Sequence, residues 1–204
     1  ATTVRVRRAP TPTPRPHRDA PQMKLPELVH WPRDRNAIDA HFAALAPEDL
    51  RLRFGGPVKA EVVRAYVAGL HEARAPAMAV FETDGRVAAF AHFGIAGPTL
   101  EFGVSVLPEF RRRGYATLLL RRARVYARAH GARSLVMHSV ADNVAILELA
   151  RRRHMTIETA DGETDSRITL REPTATDFWT ELWLRQASAL QGFLRRSRGA
   201  RSAA

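Results

Sequence analysis

The sequence contains no cysteine, which excludes disulfides, thiolate nucleophiles and any cysteine-ligated zinc or iron–sulfur site. It has no run near the roughly 18 consecutive apolar residues of a membrane span, and its first residues lack the apolar core of a signal peptide. No metal is expected, and the chain is expected to be cytoplasmic. Acidic residues are scarce at both ends. Residues 1–24 hold Arg5, Arg7, Arg8, Arg15, Arg18 and Lys24 against Asp19, and residues 185–204 hold Arg185, Arg195, Arg196, Arg198 and Arg201 against no carboxylate. The net charge of +11 is therefore a property of two tails, because residues 25–184 carry 21 basic and 20 acidic side chains. Nucleic-acid binding is expected only through those tails, salt-sensitive and blind to sequence. Also missing are the G-x-S-x-G, H-E-x-x-H, G-x-G-x-x-G and Walker A patterns, which leaves hydrolase, zincin, dinucleotide and P-loop readings unsupported.

What remains is an ordinary globular composition, 204 residues with 45% hydrophobic and 26% charged, enough for one core. The opening ATTVRVRRAPTPTPRPHRDAP alternates proline with threonine and arginine, which blocks helix and packed strand alike. Residues 1–24 are expected to be a disordered basic tail, 25–172 a folded domain, and 173–204 an amphipathic helical extension with a basic end.

Within the domain, Asp34 is placed to cap a helix carrying Ile38, Phe42 and Leu45, and Pro47-Glu48-Asp49 opens a second helix ended by Gly55-Gly56-Pro57. A third helix is expected over 61–71 with Val62, Tyr66 and Leu70 on one face. The period then changes to that of strands at 78–82 and 87–93, joined by an Asp84-Gly85 turn. A strand at 99–107, a helix from about 115 to 130, a strand at 134–140 and a helix over 143–153 follow. A hairpin of 155–159 and 166–170 closes the domain. This order predicts an α/β fold with a mixed sheet, since hairpins impose antiparallel pairs and strand–helix–strand units favour parallel ones. Thr176 or Asp177 is placed to cap the last helix, 174–196. Its Trp179, Leu182, Trp183, Leu190, Phe193 and Leu194 share a side that is expected to dock on the domain or on a second copy, with a membrane surface or a protein partner, helped by the terminal arginines, as the alternative.

The chemistry concentrates between the third strand and the following helix, at Glu109-Phe110-Arg111-Arg112-Arg113-Gly114-Tyr115-Ala116-Thr117. A glycine that permits close backbone approach, the bare amides of a helix start and three arginines together make an anion site suited to a pyrophosphate. The stretch Val104-Ser105-Val106 followed by Arg111-x-x-Gly114-x-Ala116 resembles the acetyl-CoA-binding motif of the GNAT acetyltransferases. The segment from Asn143 to Met155 is similar to that family's second motif, with His154-Met155 where the family has Gly-Phe. The segment RNAIDAHFAALAPEDLRLRFGGP looks like the first helices of the subgroup that contains bacterial protein lysine acetyltransferases.

The resemblance covers about residues 28–171 and implies a GNAT-like, mostly antiparallel central sheet with flanking helices, and acetyl-CoA as cosubstrate. It implies that Val104 and Val106 offer backbone amides on a strand splayed by a bulge, that Arg111, Arg112, Arg113, Gly114, Tyr115, Ala116 and Thr117 hold the pyrophosphate, and that Asn143 meets the pantetheine arm. Transfer to an amine requires that the amine lose its proton, and Glu101, in Leu100-Glu101-Phe102-Gly103-Val104, matches the glutamate of the lysine acetyltransferase subgroup. His138 could serve as an auxiliary base. The tyrosine that many members place seven residues after the asparagine is Ala150 here. The acceptor is expected to be an amine, on a protein lysine or a small molecule. Two other classes stay open: a non-catalytic module that binds acetyl-CoA and a polyanion-binding protein acting through its tails.

Overall fold

The computed structural model describes residues 24–202. The tail expected over 1–24 lies outside the described residues except for Lys24, whose ammonium pairs with Glu82.

A two-residue strand β1 (Glu27–Leu28) leads into α1 (Arg35–Ala43), α2 (Pro47–Phe54) and α3 (Ala60–Glu72). Asp34 stands at the start of α1, but its carboxylate turns back to accept from the His30 amide at 2.8 Å and does not cap the helix side-on. Proline at the first position of α2 and Gly55 in the left-handed conformation at its end set that helix's limits. On α3 the buried face is Val63, Val67 and Leu70, so Val62, expected inward, is exposed. Leu70 is buried as expected and Tyr66 packs at the edge of the core, while Val63 and Val67 take its centre.

β2 (Ala77–Phe81) and β3 (Val87–Ala96) form the expected hairpin across Asp84-Gly85, with Glu82 and Arg86 closing the turn. β4 (Thr99–Val106), α4 (Tyr115–Ala129), β5 (Ser134–Val140), α5 (Val144–Arg151), β6 (Thr156–Ala160), β7 (Glu163–Thr169) and α6 (Ala175–Ser202) complete the chain. The closing hairpin turns more tightly than expected. Glu163, Thr164 and Asp165 belong to β7, because Asp161 and Gly162, both at positive φ, reverse the chain by themselves.

One seven-stranded sheet runs β1-β2-β3-β4-β5-β7-β6, antiparallel at every pair except β4–β5. Both faces are covered, and alternation along β2 and β3 divides two cores. Met78, Val80, Ala89, Ala91 and Phe93 join Leu119, Leu120 and Ala123 of α4. Ala79, Phe81, Ala88 and Phe90 join Ile38 and Phe42 of α1 and Val67 of α3.

Helix α6 does not dock on the domain by its apolar side, as was one of the expectations. Its inward side is polar: Glu181 forms a buried ion pair with Arg122 of α4, Asp177 meets Arg128 at 2.9 Å, Ser188 donates to the Pro26 carbonyl at 2.9 Å, and Arg195 pairs with Glu27 at 3.2 Å. Burial alone would raise the Glu181 carboxyl, but the Arg122 and Arg185 guanidiniums outweigh it and hold the group ionised. Thr174 precedes the helix, and Asp177, three residues on, accepts from the Thr174 amide at 3.0 Å, the reciprocal bond of a capping box. The large apolar residues Phe178, Trp179, Leu182, Trp183, Leu190, Phe193 and Leu194 therefore face outward, between 45% and 68% exposed.

Candidate active site

The parallel pairing of β4 with β5 covers only Thr99–Glu101 against Ser134–Val136, so beyond Glu101 the two strands part and open a wedge. The expected bulge is not what opens it. β4 stays in unbroken register with β3 from Thr99 to Val106, and the separation lies wholly on its β5 side. The backbone orientation at that edge can be read from two bonds. Arg111 Nε donates to the Val106 carbonyl at 3.2 Å, while the Leu107 amide bonds Ala88 of β3 at 3.0 Å. Peptide groups alternate along a strand, so the amides of Val104 and Val106 face the wedge and not β3.

Two cavities occupy the wedge. The first, of about 420 Å³, is lined by β4 at Val104–Val106, by the loop and first turn of α4, and by α5; its size is that of an ordinary small-ligand site. Arg111, Arg112, Gly114, Tyr115, Ala116, Thr117 and Asn143 all line it, together with Val104 and Val106. Arg113 does not. Its guanidinium lies 5.1 Å over the Phe110 ring. Gly114, at φ +82°, starts α4 with no side-chain cap, and the first intrahelical acceptor is used by Leu118. The amides of Tyr115, Ala116 and Thr117 thus lack helical partners at the end where the helix dipole is positive. A Cβ at Gly114 would meet nothing within 4 Å, which leaves an open anion cradle beside Arg111 and Arg112.

The side chains of Arg111, Arg112 and Asn143 already have partners; Arg112 is the most exposed of the three, its guanidinium 3.4 Å from Glu148. Arg111 pairs with Asp49 of α2 at 2.6 Å. Asn143 caps α5 by accepting from the Ile146 amide at 3.2 Å and donates to the Leu52 carbonyl at 3.3 Å, so its side chain ties α5 to α2. Ala150 is fully buried in the core and has no proton to donate. The phenol lining this cavity is Tyr115, whose hydroxyl donates to Glu82 at 3.1 Å.

The second cavity, of about 270 Å³, holds Glu101, His92 and Tyr66, with His138, Glu163 and Asp165 at its β5–β7 side. Glu101 and Gly103 share the β4 face toward α1–α3, away from Leu100 and Phe102. Glu101 lies against Gly94, whose Cβ, were there one, would sit 3.4 Å from Oε2. His138 is exposed and its Nδ1 lies 2.6 Å from Asp165. Arg53 lines both cavities. It donates to the Tyr66 hydroxyl at 2.8 Å and lies 5.3 Å from the Phe54 ring centre, in the space that only a glycine at 103 leaves free. The sequence reading missed Arg53, and its only sequence signal was its place in RLRFGG at the end of the second helix. Burial first, and then the Arg53 charge, lower His92 to about 4.

Behind β4, His41 of α1 is buried between the Val87 carbonyl, 2.8 Å from Nδ1, and the Ser105 hydroxyl, 2.7 Å from Nε2. The carbonyl can only accept, so Nδ1 carries the hydrogen and Nε2 accepts from Ser105. The ring is neutral, and burial lowers it to about 4. No sequence signal could join positions 41 and 105. An unfolded histidine takes up its proton near pH 6.5, so the stability held by neutral His41 is complete above that pH. It is lost as pH falls toward 4, by about 3 kcal/mol in all. Urea unfolding at pH 7 and pH 4 is expected to show that this loss shrinks by about the same amount in His41→Gln; equal pH dependence in both chains would exclude the assignment.

The sequence matches the acetyltransferase (GNAT) family over residues 44–155, more than half of the chain, and the chain belongs to that family. It is a GNAT-type acetyltransferase. No match was found among the curated proteins. Solved structures share the fold. An N-acetyltransferase from Staphylococcus aureus Mu50 is 23% identical with a TM-score of 0.56, over 72% of this chain and 99% of that one. The GNAT domain of S. lividans PAT is 18% identical with a TM-score of 0.59, over 71% and 88%. A phosphinothricin acetyltransferase from Sinorhizobium meliloti, in complex with AcCoA, is 16% identical with a TM-score of 0.57, over 74% and 91%.

Proposed function

We propose that this chain transfers an acetyl group from acetyl-CoA to a primary amine, a protein lysine, with the donor in the first cavity and the amine in the second. The observation that carries the reading is the meeting of the two cavities at Arg53 and the parted strands, one side lined by uncapped amides and arginines and the other by carboxylates. The first cavity fits the donor: bare helix-start amides and Arg112 suit a pyrophosphate, and the free edge of β4 suits a peptide-like pantetheine arm. Acetyl-CoA supplies an acetyl group activated as a thioester.

The protein's own groups do the rest. The Val104 and Val106 amides offer donors to a carbonyl oxygen lying in the wedge. Glu101, Glu163 and Asp165 draw a cationic amine into the second cavity. Glu101 takes its proton, since an ammonium near pKa 10.4 cannot attack; as the new N–C bond forms the thioester C–S bond breaks, and the departing thiolate takes a proton from water. His92 is the poorer base, because burial and Arg53 both oppose its charged form. Arg111 and Asn143 hold the walls together through α2, and Asn143 contributes to the arm's channel from that position.

Calorimetric titration with acetyl-CoA at moderate salt, followed by mass spectrometry of lysine peptides and of small amines, tests the proposal. One-site saturation and acetylated lysine are expected. Absence of saturable binding below millimolar acetyl-CoA would overturn the donor assignment, and transfer to small amines alone would overturn the lysine acceptor.

A further inference from the structure

Seven large apolar residues in one exposed stripe are more than the scattered surface hydrophobics that need no explanation. On α6 they face outward because the other side of the helix is held by ion pairs and hydrogen bonds to Arg122, Arg128, Pro26 and Glu27. Both carboxylates of this helix, Asp177 and Glu181, are buried in those contacts. Arg185, bonded to Glu181 at 2.8 Å, is still 44% exposed at the edge of the stripe, and the sequence that follows adds Arg196, Arg198 and Arg201 with no carboxylate. The N-terminal segment enters at the same place. Leu25 and Gln191 exchange backbone and side-chain hydrogen bonds, and Pro26 and Glu27 meet Ser188 and Arg195. Five arginines precede Lys24 in sequence.

We propose that the outward face of α6 docks on an anionic phospholipid surface, its Trp and Phe side chains entering the headgroup–acyl boundary while the two basic termini meet the lipid phosphates. The chemistry is that of an interfacial helix: an apolar stripe bearing Trp179, Trp183 and Phe193, cations at its border, and no carboxylate facing out. A second copy fits less well, since like faces would oppose arginine to arginine with no free carboxylate to answer them. A nucleic acid would satisfy the arginines but leave the stripe in water. Among the described residues no helix is long and apolar enough to cross a membrane, so the contact is one of surface attachment. It is independent of the acetyl-transfer reading.

Co-flotation of the full chain with vesicles, at about 100 mM salt so that long-range attraction is screened, tests the proposal. At least about tenfold stronger association is expected with phosphatidylcholine vesicles containing a quarter phosphatidylglycerol than with phosphatidylcholine alone, together with a blue shift of tryptophan emission. The double variant Trp179→Glu, Trp183→Glu, at two exposed positions, is expected to lose at least about tenfold of that association and to keep its far-ultraviolet dichroism. No anionic preference or no emission shift in the unmodified chain would overturn the proposal. Full association by the double variant would assign attachment to the basic termini alone. A dimer in sedimentation equilibrium that the double variant dissociates would assign the face to a second copy. Either result rejects the proposal.

Discussion

A Gly114→Glu chain is expected to bind acetyl-CoA at least about a hundredfold more weakly than the unmodified protein while folding normally. Two effects add. Gly114 sits at φ +82°, where a side chain costs about 1–2 kcal/mol and shifts the backbone that aims the Tyr115, Ala116 and Thr117 amides. A carboxylate there also occupies the positive end of α4, the place reserved for a pyrophosphate. The fold should tolerate the change because nothing lies within 4 Å of the new Cβ. Gly114→Asn, which accepts the left-handed conformation and carries no charge, is expected to stay within about tenfold of the unmodified affinity. Calorimetry on both variants separates the two effects. Unchanged binding by the glutamate variant would move the pyrophosphate elsewhere.

The second large effect is expected at Glu101. Replacing it with glutamine keeps shape and hydrogen bonding but removes the proton acceptor, so kcat is expected to fall by about 100- to 1,000-fold, within the range of general-base catalysis. Acetyl-CoA affinity should be unchanged within about twofold, because Glu101 lines the second cavity and not the first. Steady-state kinetics combined with donor titration measures the split. Equal turnover by Glu101→Gln would leave proton removal to water or to the His138–Asp165 pair, which lies at the same cavity. A parallel loss of donor affinity would show that Glu101 acts on the shape of the wedge.

The sequence and the structure divide the description according to the range of the interactions. Local rules located the helices and strands because each rests on neighbours a few positions apart: the 3.6 period of α4, the Asp84-Gly85 turn, Pro47 and Gly55 around α2. The arginine loop and Gly114 were legible for the same reason, since strand, loop and helix start are contiguous. Val62 and the limits of β7 were misplaced by a residue or a few, where tertiary packing and a tight turn decide and local pattern does not.

Other features depend on contacts across the chain. The parting of β4 from β5 arises after one particular pair, Glu101 with Val136, and no residue within β4 announces it. Arg53 lies 39 and 48 positions before His92 and Glu101 and meets them only because α2 packs on β4 and β5. The buried His41–Ser105 bond spans 64 positions. Helix α6 shows the difference most directly. Its amphipathic pattern was plain in the sequence, but the direction of docking was set by Arg122 and Arg128 on α4 and by Glu27 at the sheet edge. Those partners satisfy the polar side and leave the apolar side outward. A one-dimensional pattern fixes which residues share a face; only the partners that the tertiary fold brings opposite decide which face is buried.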